Sequence, residues 1–243
     1  MEAIVLAGGK GSRLSSVVND APKPMAEING KPFLEHLLYF LTGSGFTRFI
    51  LSIGYMGEKI EEFFETHRLK ENIVFSKESK PLGTAGAIKL AETRLTSPCF
   101  FVINGDSFAE VDFDYMRKRA IERKANAVIS LLRIQKPDRY GLVTLGEGGS
   151  VIEFGEKKQG LQTGFINSGV YCLQKEMLKM IEPNTAVSLE RDIFPKLIGQ
   201  RFFGVPFEGR FIDIGIPKDY FRAQDFFKQS PEPSRKGIDD YSI

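Results

Sequence analysis

The chain of 243 residues is long enough to bury the core of one α/β domain, a class that runs to about 250 residues. Its 33 basic residues nearly match its 31 acidic residues, and this balance argues against nucleic acid or a membrane surface as a partner. No apolar run reaches the ~18 residues of a membrane span. The two histidines have no cysteine neighbours, which argues against structural zinc. Cys99 and Cys172 lie in apolar runs, as buried thiols of a reducing compartment do, so we expect a cytoplasmic protein.

Strand-like apolar runs alternate with helical periodicity through the first half of the chain. This order indicates βαβ units and an α/β fold with a doubly wound, mixed and mostly parallel sheet, which is Rossmann-like. The predicted strands are 3–7, 49–53, 73–75 and 99–103, and the predicted helices are 32–41, 57–66 and 84–95.

The second half is richer in strands, and no linker separates it from the first. We therefore predict a single domain over 1–228, with a nucleotide-binding half at about 1–125 and a substrate-binding half at 126–228 built onto the same sheet. A polar tail follows at 229–243. The later strands are predicted at 127–133, 142–145, 151–154, 165–173 and 202–205, and the helices at 175–181, 189–197 and 218–228.

A glycine-rich turn follows the first predicted strand, in the sequence Leu-Ala-Gly-Gly-Lys-Gly-Ser-Arg-Leu at 6–14. Three glycines let backbone N–H groups approach an anionic or planar ligand without a Cβ in the way. Arg13 supplies charge for phosphates. The pattern differs from a Walker loop, because Gly30-Lys31 is followed by proline, and from a dinucleotide fingerprint, because no third glycine opens a helix. It predicts a nucleotide-phosphate site.

Lys23 stands between Pro22 and Pro24. Pro22 fixes its own φ, and Pro24 disfavours a helical conformation for the residue before it. We therefore expect Lys23 to be extended and its ammonium group to be aimed at the phosphates in advance.

Asn104-Gly105-Asp106 follows the most continuously apolar strand. In open α/β sheets ligands bind beyond the carboxyl ends of the strands, which would bring Asp106 beside the glycine-rich turn. A carboxylate next to a triphosphate is the expected anchor for Mg²⁺. The alternative, in which Asp106 only caps a turn, stays open. An Asp-x-Asp pattern, common in glycosyltransferases, is absent from this position.

The segments 8–14 and 22–25 resemble the signature of the sugar-1-phosphate nucleotidyltransferases, and the resemblance continues through Pro217, over about nine-tenths of the chain. It implies catalytic roles for Arg13 and Lys23. It also implies that Asp213, in the segment 211–217, is a second metal carboxylate beside Asp106. A buried ion pair would satisfy Asp213 equally well from the sequence alone. The family usually has Trp and Thr where Phe211 and Ile216 stand.

For the sugar 1-phosphate, the resemblance implies hydroxyl contacts from Glu156 and Asn167 and a phosphate contact from Lys157. Lys158 replaces the usual proline after Lys157, which leaves that lysine less firmly placed. The remaining sugar-side positions are Tyr140, Gly141 and Gly169.

The segment 78–86 resembles the family's base-reading loop, in which uridylyl- and thymidylyltransferases carry Gln and this chain carries Glu78. A carboxylate accepts both N1–H and the 2-amino group of guanine, whereas uracil and thymine would present carbonyl oxygens to it. The nucleotide-binding residues that the resemblance implies are Leu6, Ala7, Gly8, Gly9, Gly11, Ser12, Arg13, Glu78, Pro81, Gly83, Thr84, Asn104 and Gly105.

These features together predict transfer of GMP from GTP to a sugar 1-phosphate with Mg²⁺ as cofactor. The chain resembles most closely the D-glycero-α-D-manno-heptose 1-phosphate guanylyltransferases of bacterial surface-polysaccharide synthesis. Mannose 1-phosphate as acceptor, a uridylyl- or thymidylyltransferase, and a non-catalytic nucleotide-sugar sensor remain alternatives. A sensor usually loses the Arg, Lys or Asp residues present here. The sequence leaves open whether the chain forms a homo-oligomer.

Overall fold

The computed structural model describes residues 1–11, 13–135, 137, 141–155 and 162–228. The predicted site residues Ser12, Tyr140, Glu156 and Lys157 and the tail 229–243 lie outside these ranges.

A nine-stranded sheet forms the centre of the molecule. Its strands are β1 (Glu2–Leu6), β4 (Arg48–Ile53), β5 (Ile73–Lys77), β6 (Cys99–Asn104), β8 (Ala127–Gln135), β9 (Leu142–Leu145), β10 (Val151–Phe154), β11 (Thr163–Gln174) and β12 (Phe202–Phe207). One side is a parallel block in the order β5-β4-β1-β6, and β11 joins this block by pairing antiparallel with β6. On the far side, β11 pairs antiparallel with β8, and β8 pairs in parallel with β12. The first residues of β11 also pair with β9.

Two short ribbons complete the strands. One pairs β2 (Glu27–Ile28) with β3 (Lys31–Pro32). The other pairs β7 (Ser107–Ala109) with β13 (Phe211–Asp213), so it brings the chain just after Asp106 beside Asp213.

The sheet is covered on both faces, because neighbouring residues of β1 belong to different apolar clusters. Ala3 and Val5 pack in one cluster and Ile4 in the other, as the alternation of side chains along a strand requires. The covering helices are α1 (Phe33–Gly43), α2 (Gly57–Glu65), α3 (Gly83–Ala91), α4 (Phe113–Glu122), α5 (Phe194–Leu197) and α6 (Pro217–Lys228). None of the helices in the described ranges is long and apolar enough to cross a membrane.

The predicted fold class is confirmed, and the differences are local. The sequence reading missed α4, whose N-cap Asp112 accepts a hydrogen bond from Tyr115 N at 2.8 Å. The predicted helix 84–95 ends at Ala91 and continues as a 3-10 turn. The segments predicted as helices at 175–181 and 189–197 are instead a 3-10 helix (Lys175–Met180) and a π-helical turn (Leu189–Ile193) followed by α5.

Candidate active site

A cavity of about 700 Å³ opens at the carboxyl ends of the parallel strands. It lies at the switch point of the sheet, where β1 has β4 on one side and β6 on the other, and α/β sheets bind ligands at such points. Most of the predicted nucleotide and catalytic residues line it: Leu6, Ala7, Gly8, Gly9, Gly11, Arg13, Lys23, Glu78, Pro81, Gly83, Thr84, Asn104 and Asp106.

The glycine-rich turn packs directly on the stem of Lys23. Gly11 has φ +60°, and a Cβ built there would lie 2.8 Å from the Cβ of Lys23, so the site requires glycine at this position. Lys23 opens a 3-10 turn in which Met25 N donates to Pro22 O at 2.7 Å and Ala26 N donates to Lys23 O at 3.0 Å. The extended conformation predicted for Lys23 is therefore wrong, because two successive turn hydrogen bonds outweigh the preference of a residue before proline.

The buried ammonium group of Lys23 lies between two carboxylates. Its Nζ is 2.5 Å from Oδ2 of Asp106 and 3.7 Å from Oδ1 of Asp213. Burial and the neighbouring Asp106 raise the pKa of Asp213, while Lys23, the N–H of Gly215 and Arg13 lower it. The structure thus brings together the four charged groups that the sequence assigned to catalysis and metal binding.

The donor set suits Mg²⁺. Two carboxylates from different elements, the end of β6 and β13, converge on one point and remain about one-third exposed. Mg²⁺ is held in this way by one or two carboxylates, with waters and substrate phosphates completing its shell. The described ranges contain no group of three or more Asp, Glu, His or Cys side chains that could hold a metal ion. A cation between Asp106 and Asp213 would therefore need water or phosphate oxygens as its further ligands.

Glu78 lies in the wall of the same cavity, at the loop before α3. Its Oε2 accepts the N–H of Leu82 at 2.8 Å, and its Oε1 faces Gly8, where a Cβ would come within 2.9 Å of it. Partial burial raises the pKa of this carboxyl, and the bond from Leu82 partly offsets that effect. One carboxylate oxygen therefore fixes the loop, and the other is directed towards the glycine-rich turn.

Of the predicted sugar-side residues, Gly141, Asn167 and Gly169 lie in the described ranges, and none of the three lines the cavity. Gly169 packs against Asn104, since a Cβ there would come within 2.7 Å of the Asn104 amide. Asn167 accepts the N–H of Gly169 at 2.9 Å and donates to Tyr171 Oη at 2.8 Å. Gly141 is exposed, at the start of β9.

Gly105 holds the end of β6 against the end of β1, and its N–H donates to Leu6 O at 2.9 Å. The hydroxyl of Thr84 is occupied, because it donates to Glu190 and accepts the N–H of Leu189.

Sequence reasoning missed several residues of the cavity wall. Gly54 and Tyr55 follow β4, and Tyr55 N donates to Gly8 O at 3.1 Å. The rule that gathers the carboxyl ends of parallel strands could have located both. The remaining missed residues of the wall are Lys10, Pro24, Ser52, Ser79, Lys80, Ala87 and Gly215.

Comparison with known proteins agrees with this geometry. Residues 2–230 match the family model described as nucleotidyl transferase. A D-glycero-alpha-D-manno-heptose 1-phosphate guanylyltransferase of Aneurinibacillus thermoaerophilus is 41% identical over 225 residues, which cover 92% of this chain and 97% of the relative.

A more distant relative and a solved structure complete the comparison. The mannose-1-phosphate guanylyltransferase catalytic subunit beta of Drosophila melanogaster is 33% identical, over 95% of this chain and 65% of that protein. The crystal structure of HddC from Yersinia pseudotuberculosis complexed with GMP-PN has 36% identity and a TM-score of 0.82, with 93% of this chain and 99% of that one covered. The chain is an enzyme that belongs to the nucleotidyl transferase family.

Proposed function

We propose that the protein transfers GMP from GTP to D-glycero-α-D-manno-heptose 1-phosphate, releasing pyrophosphate. The observation that carries this proposal is that a carboxylate suited to guanine and two cationic side chains suited to phosphate line one cavity. Glu78, Arg13 and Lys23 all belong to the wall of this cavity.

Guanine suits the wall around Glu78. A carboxylate accepts two adjacent N–H donors at once, and the Watson–Crick edge of guanine offers N1–H beside its 2-amino group. Uracil and thymine flank a single N–H with carbonyl oxygens, which a carboxylate repels. The HddC structure, complexed with GMP-PN, gives independent support for a guanine nucleotide.

The heptose is proposed from the relatives named for it, which the chain matches over almost their whole length. Mannose 1-phosphate is the second candidate, since guanylyltransferases named for mannose match nearly all of this chain. We further propose that the reaction takes place in the cytoplasm and feeds polysaccharide synthesis. The thiols of Cys99 and Cys172 are free, as a reducing compartment allows.

The chemistry needs no protein nucleophile. A phosphate oxygen of the sugar 1-phosphate attacks the α-phosphorus of GTP, a new P–O bond forms, and the bond to the bridging oxygen breaks as pyrophosphate leaves with the electron pair. Positioning and charge neutralisation dominate such a step. Arg13 offsets charge on the leaving phosphates, and Lys23 offsets charge as the two phosphate groups approach each other.

Asp106 and Asp213 would hold Mg²⁺, which when bound supplies further positive charge to the phosphates. Lys157, outside the described residues, would contact the phosphate of the acceptor. We propose Glu156 and Asn167 for the sugar hydroxyls, with Tyr140, Gly141 and Gly169 forming the rest of that side.

The decisive experiment measures pyrophosphate release with each of GTP, UTP, dTTP and ATP against a panel of sugar 1-phosphates that includes the heptose, mannose and glucose forms. We expect the highest kcat/KM for GTP with the heptose 1-phosphate. Preference for mannose 1-phosphate would change the acceptor, and preference for UTP or dTTP would overturn the guanylyltransferase assignment.

A further inference from the structure

One carboxylate outside the cavity wall collects hydrogen bonds from both sides of the site. Glu190 lies in the π-helical turn before α5, far along the chain from the nucleotide-binding residues. Its Oε1 accepts from Tyr171 Oη at 3.1 Å, and its Oε2 accepts from Thr84 Oγ1 at 2.9 Å and from Ser188 Oγ at 3.0 Å.

The direction of each hydrogen bond on the sugar side is fixed by a backbone donor. Gly169 N–H donates to Asn167 Oδ1, so the amide nitrogen of Asn167 must face Tyr171 and donate to its oxygen. The hydroxyl hydrogen of Tyr171 is then directed to Glu190. Tyr171 is fully buried, and this burial raises the pKa of its hydroxyl, which keeps the proton in place.

The nucleotide side is fixed in the same way. Leu189 N–H donates to Thr84 Oγ1 at 2.7 Å. The hydroxyl hydrogen of Thr84 must therefore point away from that donor, and it points towards Glu190. Ser188 Oγ accepts the N–H of Arg191 at 3.2 Å and likewise presents its hydrogen to Glu190. Three hydroxyl groups therefore donate to Glu190, and together they use both of its carboxylate oxygens.

We propose that Glu190 is a positioning residue that couples the two substrate sites. Through Tyr171 it holds the Asn167 amide on the sugar side, and through Thr84 it holds the start of α3 beside the nucleotide cavity. This inference rests on the proposed function, because it takes Asn167 as a sugar contact and Thr84 as part of the nucleotide site. We call the bonds from Asn167 through Tyr171 the sugar-side arm and the bond from Thr84 the nucleotide-side arm. Among the described hydrogen bonds, these two arms meet only at the Glu190 carboxylate.

Substitutions that hardly change the shape of a side chain test the two arms separately. Tyr171→Phe removes the sugar-side link, and Thr84→Val removes the nucleotide-side link. Glu190→Gln keeps the shape but places an NH₂ group against a hydroxyl hydrogen, which then lacks an acceptor. Thr84→Ser restores the hydroxyl. Tyr39→Phe is a matched control, because its hydroxyl bonds Arg68 and His67 away from the cavity.

Binding is measured by calorimetry with the α,β-methylene analogue of GTP, which cannot be cleaved at the reacting bond, and with sugar 1-phosphate in its presence. We expect Tyr171→Phe to weaken the binding of sugar 1-phosphate about tenfold, which is the factor of one ordinary hydrogen bond. The affinity for the GTP analogue should stay within about twofold of the wild-type value. Thr84→Val should do the reverse and Thr84→Ser should restore binding. Glu190→Gln should weaken both ligands and reduce the gain in sugar-phosphate affinity that the nucleotide produces.

The wild-type affinities and turnover test the proposed function, whereas the ratios between variants and wild type test the coupling. Equal weakening of both ligands by each single-arm variant would overturn the proposal, as would a Glu190→Gln protein that binds both like wild type. Tyr39→Phe should lower the unfolding midpoint without changing either affinity. If it changes the affinities as Tyr171→Phe does, the effect is general destabilisation and the proposal is wrong.

Discussion

The carboxylate of Glu78 has two neighbours that use different oxygens. Oε2 fixes its own loop through Leu82 N–H, and Oε1 faces the glycine-rich turn beside the cavity. In the proposed base-reading role, the bond from Leu82 gives Glu78 a defined orientation, which favours discrimination between bases. The same bond gives Glu78 a structural role, so its substitution must be read with a stability control.

Glu78→Gln should reduce the preference for GTP over UTP by about 1–3 kcal/mol, the scale of a good two-point base contact. An amide presents a donor to a guanine donor, whereas it matches uracil better. The measurement is kcat/KM for both nucleotides in the two proteins. Glu61→Gln is the control, since Glu61 pairs with Lys77 on the surface and is not part of the described cavity wall. An unchanged ranking of nucleotides would remove Glu78 from base recognition.

The same carboxyl should also set the pH dependence of nucleotide binding. Its pKa is raised by burial, so it gains a proton at a higher pH than an ordinary Glu does. As the pH falls through that raised pKa, the acceptor for guanine is lost and KM for GTP should rise. The Glu78→Gln protein should lack this rise. The same acidic rise in both proteins would assign it to another group.

The pair Asp106 and Asp213 gives a prediction about charge. Asp106→Asn and Asp213→Asn should each lower kcat by about 10²-fold or more, the scale of losing one preorganised electrostatic group, and should raise the Mg²⁺ concentration needed for half-maximal activity. Asp112→Asn is the matched control, because Asn caps a helix as well as Asp does. Near-normal turnover and Mg²⁺ dependence in either variant would exclude that residue from the metal site.

At the scale of elements, the start of α3 packs closely against the segment that leads to Glu190. Gly83 has φ +67°, and a Cβ there would come within 2.6 Å of Val187 O. Two backbone bonds join the same parts, from Ala85 N to Val187 O at 2.9 Å and from Val187 N to Leu82 O at 2.9 Å. The helix and the 187–190 segment therefore behave as one unit.

Gly83→Ala should destabilise the protein by more than the ~1–2 kcal/mol that a left-handed conformation alone costs an alanine, because it adds a clash with backbone. Gly199→Ala isolates the conformational cost, since Gly199 has φ +79° and no atom within 4 Å of a built Cβ. Chemical denaturation measures both. Equal losses in the two variants would mean that the contact with Val187 is readily relieved.

The strands were predictable because buried parallel strands are continuous apolar runs, which is why β1, β4 and β6 were found within a residue or two. The segments 175–181 and 189–197 were predicted as regular helices and are irregular. At 188–192, Ser188 accepts the N–H of Arg191 and Asp192 accepts the N–H of Ser188, which is the pattern of a capped helix start. The sequence therefore signals that a helix begins here, but its apolar period does not distinguish a π-helical turn from an α-helix.

At the scale of the whole molecule, residues near the strand ends could be placed from the sequence, because one rule gathers them at the switch point. The location of Lys23 between Asp106 and Asp213 needed the fold. The partners of Thr84 could not be predicted, since Glu190 lies 106 positions away and its segment has no motif of its own. The sequence therefore predicts which residues gather at the cavity better than it predicts the contacts that hold them there.

The shared strand β11 has a mechanical consequence. Its final residues pair with β6 and its first with β9, while β8 follows it along both parts. β11 changes register between Asn167 and Tyr171, yet it pairs with β8 on both sides of that irregularity. A hinge between these two parts of β11 would have to disturb its pairing with β8, which argues against closure by bending of the sheet. We therefore expect the sheet to set the distance between the two proposed substrates, and any closure over them to come from loops at the rim.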